Sequence, residues 1–221
     1  MAAPAQDRVT ESAMAFIDTI APEDATDGVA AMYQRQQAAW GFVPNYAKVF
    51  SLRAEVLARW GQLLSEIRRP MDKRRFELIT FATAVDLRNS ACALVHGQAL
   101  REWFSDAQIL AIAEGRDDAI LSAAERAMVT FARQTVNDAT GTTREQVDAL
   151  KVHGFSDAEV FDIAATAAGR SFFAKLLDSL GVLPDSSLQA LDAPLRQALT
   201  TGRPIDERAS ATMPMPEPFD R

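Results

Sequence analysis

The stretch from Asn89 to Trp103, NSACALVHGQALREW, holds the single cysteine of this 221-residue chain, Cys92, and one of its two histidines, His96. Four residues apart on a helix, the two side chains share one face. Asn89 or Ser90 can cap that helix, since either side chain accepts from the first free backbone N–H groups. Cys92 then falls in the first turn, where free amides and the helix dipole favour an anion. The thiolate is the nucleophilic form, an ordinary thiol titrates near about 8.5, and an imidazole one turn away can carry the proton off. The pair therefore reads as nucleophile and base. His96 is expected within hydrogen-bond reach of the sulfur, and the thiol is expected to titrate low. A lone cysteine on an apolar helix face is also a common small core residue, so a buried thiol beside a satisfied histidine stays open at this point. A metal site is disfavoured, with no second cysteine available. The other histidine, His153, precedes Gly154 and reads as a helix C-terminal residue.

The elements that would position this pair are helices throughout. Val29, Met32, Tyr33 and Gln36 recur at helical spacing before Gly41. Val56, Leu57, Trp60, Leu63, Leu64 and Ile67 form a longer run that Pro70 closes. Phe76, Ile79, Thr80, Thr83 and Leu87 make a further stripe. Capping boxes are expected at Ser105/Gln108, Ser122/Glu125, Thr142/Glu145 and Ser156/Glu159, where a hydroxyl and a carboxyl or amide satisfy early amides reciprocally. No alternating strand pattern is found, so the fold class is all-α. Residues 1–199 read as a single domain. Residues 200–221 hold four of the ten prolines and read as an extended tail, disordered or laid on a neighbour.

Composition narrows the function classes. With 48% hydrophobic residues there is enough for a sizeable core, and the formal charge of −7 argues against nucleic acid or an anionic membrane as a partner. No apolar run approaches a membrane span. The first residues are polar and lack the apolar core of a signal peptide. One cysteine excludes an internal disulfide, so a reducing cytoplasm is the expected location.

The stretch FELITFATAVDLRNSACALVHGQAL resembles the core of the AhpD-like superfamily, which includes alkylhydroperoxidases and carboxymuconolactone decarboxylases. Its pattern is a glutamate, a dozen residues, then Cys-x-x-Cys-x-x-x-His. Glu77, Cys92 and His96 match the glutamate, the second cysteine and the histidine. Asn89 stands where the first cysteine would be. GFVPNYAKVFSLRAEVLARW and HGFSDAEVFDIAATAAGRSFFAKLLDSLGV resemble the lead-in and closing helices of peroxidase-related members, so residues 22–185 are covered. Ala174-Lys175 replaces the usual Asn-Arg of the last long helix. The resemblance implies an all-helical AhpD-like fold, a homo-oligomer (trimer, dimer or hexamer) and no cofactor. It also implies that Glu77 and His96 relay a proton from Cys92, which attacks a peroxide. With Asn89 in place of the resolving cysteine, oxidation stops at sulfenic acid until an external thiol arrives.

Two geometric expectations follow. A hairpin folded at Arg88–Asn89 sets Glu77 opposite roughly position 101, which leaves His96 about 7 Å short at helical rise. The helices must then cross, or Glu77 is merely an exposed partner of Lys73, Arg74 and Arg75. Trp40, Phe42, Tyr46 and Phe50 can line an apolar substrate pocket together with Asn89. The leading function is a single-cysteine hydroperoxide reductase or related thiol redox enzyme. The alternative is a cofactor-free decarboxylase or isomerase in which His96 and Glu77 do acid–base work on a small carboxylate and Cys92 only lines the pocket.

Overall fold

The computed structural model describes residues 14–208. Among them every regular element is helical: α1 Asp27–Trp40, α2 Asn45–Val49, α3 Ala54–Arg68, α4 Lys73–Asp86, α5 Ser90–Leu100, α6 Asp106–Ala113, α7 Ala123–Asn137, α8 Arg144–Val152, α9 Asp157–Ser179 and α10 Ala193–Leu199, with short 3-10 turns between some of them. No helix among the described residues is long and apolar enough to cross a membrane.

Helix α4 is the central rod. It is buried without interruption from Phe76 to Ala84 and packs against α5, α6, α7 and α9. A helix hidden on all sides shows no amphipathic stripe; of its buried polar side chains Glu77 is paired with His96. Asp72 caps it by accepting from the Arg75 N–H at 2.9 Å.

Helix α5 runs back along α4 after a tight turn. Arg88 takes a left-handed conformation, φ 56°, and the Asn89 N–H donates to the Ala84 carbonyl at 2.9 Å. The α5 backbone approaches its neighbours closely at Gly97. A Cβ there would lie 2.7 Å from Leu199 Cδ1 and 3.2 Å from Phe81 Cε2, so a larger residue would push α5 away from α4 and α10.

The capping boxes at Ser105, Ser122 and Ser156 form as expected. The fourth shifts by one residue: Thr143 is the N-cap of α8 and Gln146 replies, instead of Thr142 and Glu145. Thr142 is taken up by the preceding 3-10 turn, to whose Ala139 carbonyl its N–H donates. His153 is the C-cap of α8.

Residues 200–208 are extended and lie on the body of their own chain. Arg88 donates to the Thr201 carbonyl, the Gly202 N–H donates to Ser90 Oγ at 2.9 Å, and the Asp206 N–H donates to the Pro184 carbonyl at 2.8 Å. Gly202 is required here, since a Cβ would lie 1.9 Å from the Arg88 carbonyl oxygen. The rest of the expected tail, 209–221, and the polar N-terminal residues 1–13 lie outside the described residues.

Candidate active site

Cys92 is the third residue of α5, and its N–H donates to Asn89 Oδ1 at 2.9 Å. Asn89 is therefore the cap. Its amide is oriented from the other side by Asp178 of α9, whose Oδ2 accepts from Nδ2 at 3.0 Å. One turn on, His96 is buried, and its Nδ1 lies 2.6 Å from Glu77 Oε2 on α4. The register gap expected between the two helices is thus closed, and the two side chains meet. Glu77 is not a surface partner of its neighbours: Lys73 pairs with Glu102, Arg74 with Glu125, and Arg75 with Asp72 and Glu159.

Burial pulls His96 below its ordinary value, with the Glu77 charge opposing, so the imidazole is neutral near pH 7. Glu77 is held below the usual carboxylate range: burial alone would raise it, but the His96 contact and the Arg170 and Arg68 charges outweigh burial. An ionised Glu77 accepting from Nδ1–H leaves Nε2 as the unprotonated, basic nitrogen.

A third charged group completes the site. Arg170 of α9 is 5% exposed, and its guanidinium lies over the rings of Trp60 and Phe76, at 5.7 and 5.2 Å from their centroids. It is the main positive charge acting on Cys92. The sequence reading did not find it. The signal was there: Ile163, Thr166, Ala167, Phe173, Ala174 and Leu177 form the buried stripe of α9, and Arg170 falls in its middle. An arginine inside an apolar stripe requires anionic or aromatic partners.

Cys92, His96, Asn89 and Arg170 line one cavity, walled by Trp40, Phe42, Tyr46 and Phe173. Its volume is about 60 Å³, above what a single water molecule needs. Trp40, Phe42 and Tyr46 thus reach the cavity. Phe50 does not, and stacks behind it on Phe173, 6.0 Å between centroids. Ala174 is buried and Lys175 exposed on α9.

Two expectations about the thiol are corrected. Among the described residues Cys92 Sγ makes no hydrogen bond to His96. The thiol does not titrate low: burial pushes it up to about 11, and the Arg170 charge only partly offsets this. Removing the sulfur from water costs the thiolate more than one cation and a helix terminus return. No group of three or more metal-ligating side chains is found among the described residues.

Solved structures share this arrangement of helices. A peroxidase-related protein from Ralstonia eutropha JMP134, described as an alkylhydroperoxidase AhpD core, superposes with a TM-score of 0.69 at 19% identity, over 87% of this chain and 100% of that one. The chain has the AhpD-like fold. A peroxidase-related protein from Silicibacter sp. TM1040 matches with a TM-score of 0.64 at 19% identity, over 86% of this chain and 98% of that one. The debrominase Bmp8, as a cysteine-to-alanine variant in complex with 2,3,4-tribromopyrrole, matches with a TM-score of 0.63 at 17% identity, over 82% and 94%. No protein-family model and no curated protein sequence matches the chain. Within the AhpD-like fold, the site is built where α5 and α9 meet beside α4.

Proposed function

We propose that this protein is a thiol redox enzyme that reduces a small organic hydroperoxide at Cys92. The observation that carries this reading is one cavity lined by a lone thiol, a buried guanidinium and an imidazole whose far nitrogen is tied to a carboxylate. The AhpD-like fold shared with peroxidase-related proteins supports it.

In this reading the resting thiol is neutral and is deprotonated when substrate enters. Catalytic hydrogen bonds are often absent before substrate binds. His96 Nε2 takes the proton, and Glu77 holds the ring in the tautomer that can do so and steadies the imidazolium. The Cys92 sulfur attacks the distal peroxide oxygen and the O–O bond breaks. The leaving alkoxide takes the proton from His96 and departs as the alcohol. Cys92 is oxidised by two electrons to the sulfenic acid. Arg170 stabilises the negative charge on sulfur before attack and on oxygen during cleavage. Recovery needs an external thiol, which forms a mixed disulfide with release of water. A second thiol then frees Cys92 and leaves as the disulfide.

A second reading is favoured by the raised thiol pKa and the missing sulfur–imidazole hydrogen bond. There His96, held by Glu77, does the acid–base work on a small carboxylate held by Arg170, and Cys92 is wall. Loss of the thiol on titration with an organic hydroperoxide supports the first reading. Turnover of a carboxylate that survives Cys92→Ser supports the second. A brominated pyrrole, the ligand of one fold neighbour, is a further electrophile to test on the same thiol.

A further inference from the structure

We infer that an open pocket beside the active-site cavity holds the reducing thiol, and that this thiol carries an amino-acid head with both a carboxylate and an ammonium. The inference rests on the hydroperoxide reading above, in which Asn89 takes the place of a resolving cysteine and an external thiol must reach Cys92. The cavity, at about 60 Å³ with aromatic walls, has room for the reacting groups but not for such a head. The neighbouring pocket, of about 410 Å³, is lined by Gln37, Asn45, Lys48, Asp185, Asp206 and Arg208. Phe42 and Asp185 line both spaces, so a molecule seated in the outer one lies across a shared wall from the cavity.

The charges of the outer pocket fit both ends of an amino-acid head. Asp206 is buried and already holds a cation: Arg208 donates to its two oxygens at 2.9 and 2.6 Å, and Asn45 Nδ2 donates to it at 3.3 Å. No arginine engages Asp185 among the described residues; its Oδ1 accepts the Asn45 N–H at 2.8 Å. Burial lifts Asp185 to about 6, a cost that an ammonium beside it offsets. Lys48 stands close enough for its charge to act on Asp185. Its Nζ donates to Asn45 Oδ1 at 3.2 Å, which leaves two of the three ammonium donors for a carboxylate. A carboxylate on Lys48 and an ammonium on Asp185 thus fall side by side, as they do on one amino-acid carbon. With the head held there, the thiol passes Phe42 to Cys92. Its sulfur bonds Cys92 Sγ, and the sulfenic hydroxyl leaves as water with the thiol's proton. A second molecule attacks the mixed disulfide, returns Cys92 as the thiol and departs as the symmetrical disulfide.

Binding is tested first on the reduced full chain, by calorimetry with S-methylglutathione, whose sulfur is blocked. Millimolar affinity is expected, weakened about tenfold in Lys48→Met and in Asp185→Asn and kept in Lys48→Arg. The role is tested by oxidising Cys92 with one equivalent of an organic hydroperoxide and following its reduction by three thiols. Glutathione carries the full head, N-acetylcysteine a carboxylate without an ammonium, and 2-mercaptoethanol neither. The glutathione rate should saturate with concentration, N-acetylcysteine should need more to saturate, and 2-mercaptoethanol should stay linear. The ratio of the glutathione rate to the 2-mercaptoethanol rate should fall about tenfold in Lys48→Met. Absence of S-methylglutathione binding overturns the inference. So does a linear glutathione rate whose ratio Lys48→Met leaves unmoved. Binding without any sulfenic acid after peroxide leaves an amino-acid site and overturns the hydroperoxide reading together with the reductant role.

Discussion

Glu77 and His96 meet at 2.6 Å between α4 and α5, and both side chains are buried. The hydrogen bond fixes which imidazole nitrogen is basic. Glu77→Gln can still accept from Nδ1–H but loses the charge that steadies an imidazolium. The oxidation rate is expected to fall about tenfold, while His96→Ala falls about 10²- to 10⁴-fold, as loss of a general base does. Glu77→Ala should also cost about 1–3 kcal/mol of stability by leaving a buried donor unpaired. Stopped-flow oxidation and denaturant melts of the three variants check this.

The pH profile separates base assistance from simple thiolate chemistry. His96 is pulled down by burial, so it is unprotonated and able to act as base from neutral pH upward. The wild-type rate should therefore be flat from about pH 7 to 9. In His96→Ala only the thiolate reacts. With the thiol pushed up to about 11, that rate should climb about tenfold per pH unit below the thiol pKa. A wild-type profile as steep as the variant's would show that His96 takes no proton.

Much of this site was legible from residue spacing, and the misses have physical causes. Asn89 as cap, Cys92 in the first turn and the run of serine capping boxes follow from local backbone chemistry, which the sequence states directly. The state of the thiol does not, because it depends on how fully Trp40, Phe42, Tyr46 and Phe173 exclude water. Arg170 lay in a stripe that could have been read, but charged residues are ordinarily assigned to the outer face of a helix. The Glu77–His96 contact depends on how α5 packs on α4, which approach closely at Gly97, and no single-helix pattern reports it.

Arg170 supplies the positive charge, and aromatic rings hold it in place. Arg170→Met keeps the volume and removes the charge. The thiol should then titrate still higher and the oxidation rate fall about tenfold or more. Arg170→Lys should not restore the rate, because an ammonium cannot lie flat over Trp60 and Phe76. Alkylation rates of Cys92 across pH give the thiol shift directly.

Asp185 lies at the edge of the same cavity, and burial raises it from 3.8 to about 6. Between those values the folded protein holds a proton that the unfolded chain has released. Stability is therefore lost as pH rises through this window, and the cost persists above it. Asp185→Asn cannot ionise and can still accept the Asn45 N–H, which Asp185 Oδ1 receives at 2.8 Å. The variant should match the wild type near pH 4 and exceed it by about 1–3 kcal/mol at pH 8, measured by chemical denaturation.

The central claim is that Cys92 is oxidised by a hydroperoxide and waits as a sulfenic acid. The most direct measurement is mass spectrometry of the intact protein after an organic hydroperoxide is added with a dimedone probe present. One probe adduct is expected, mapping to Cys92, fast in the wild type and slow in His96→Ala. Asn89→Cys places a second thiol three residues before Cys92, so that variant should form an internal disulfide and lose the adduct. A wild-type Cys92 that stays unlabelled and reduced at millimolar peroxide would contradict the account, and His96 with Glu77 would then be read as an acid–base pair beside an idle thiol.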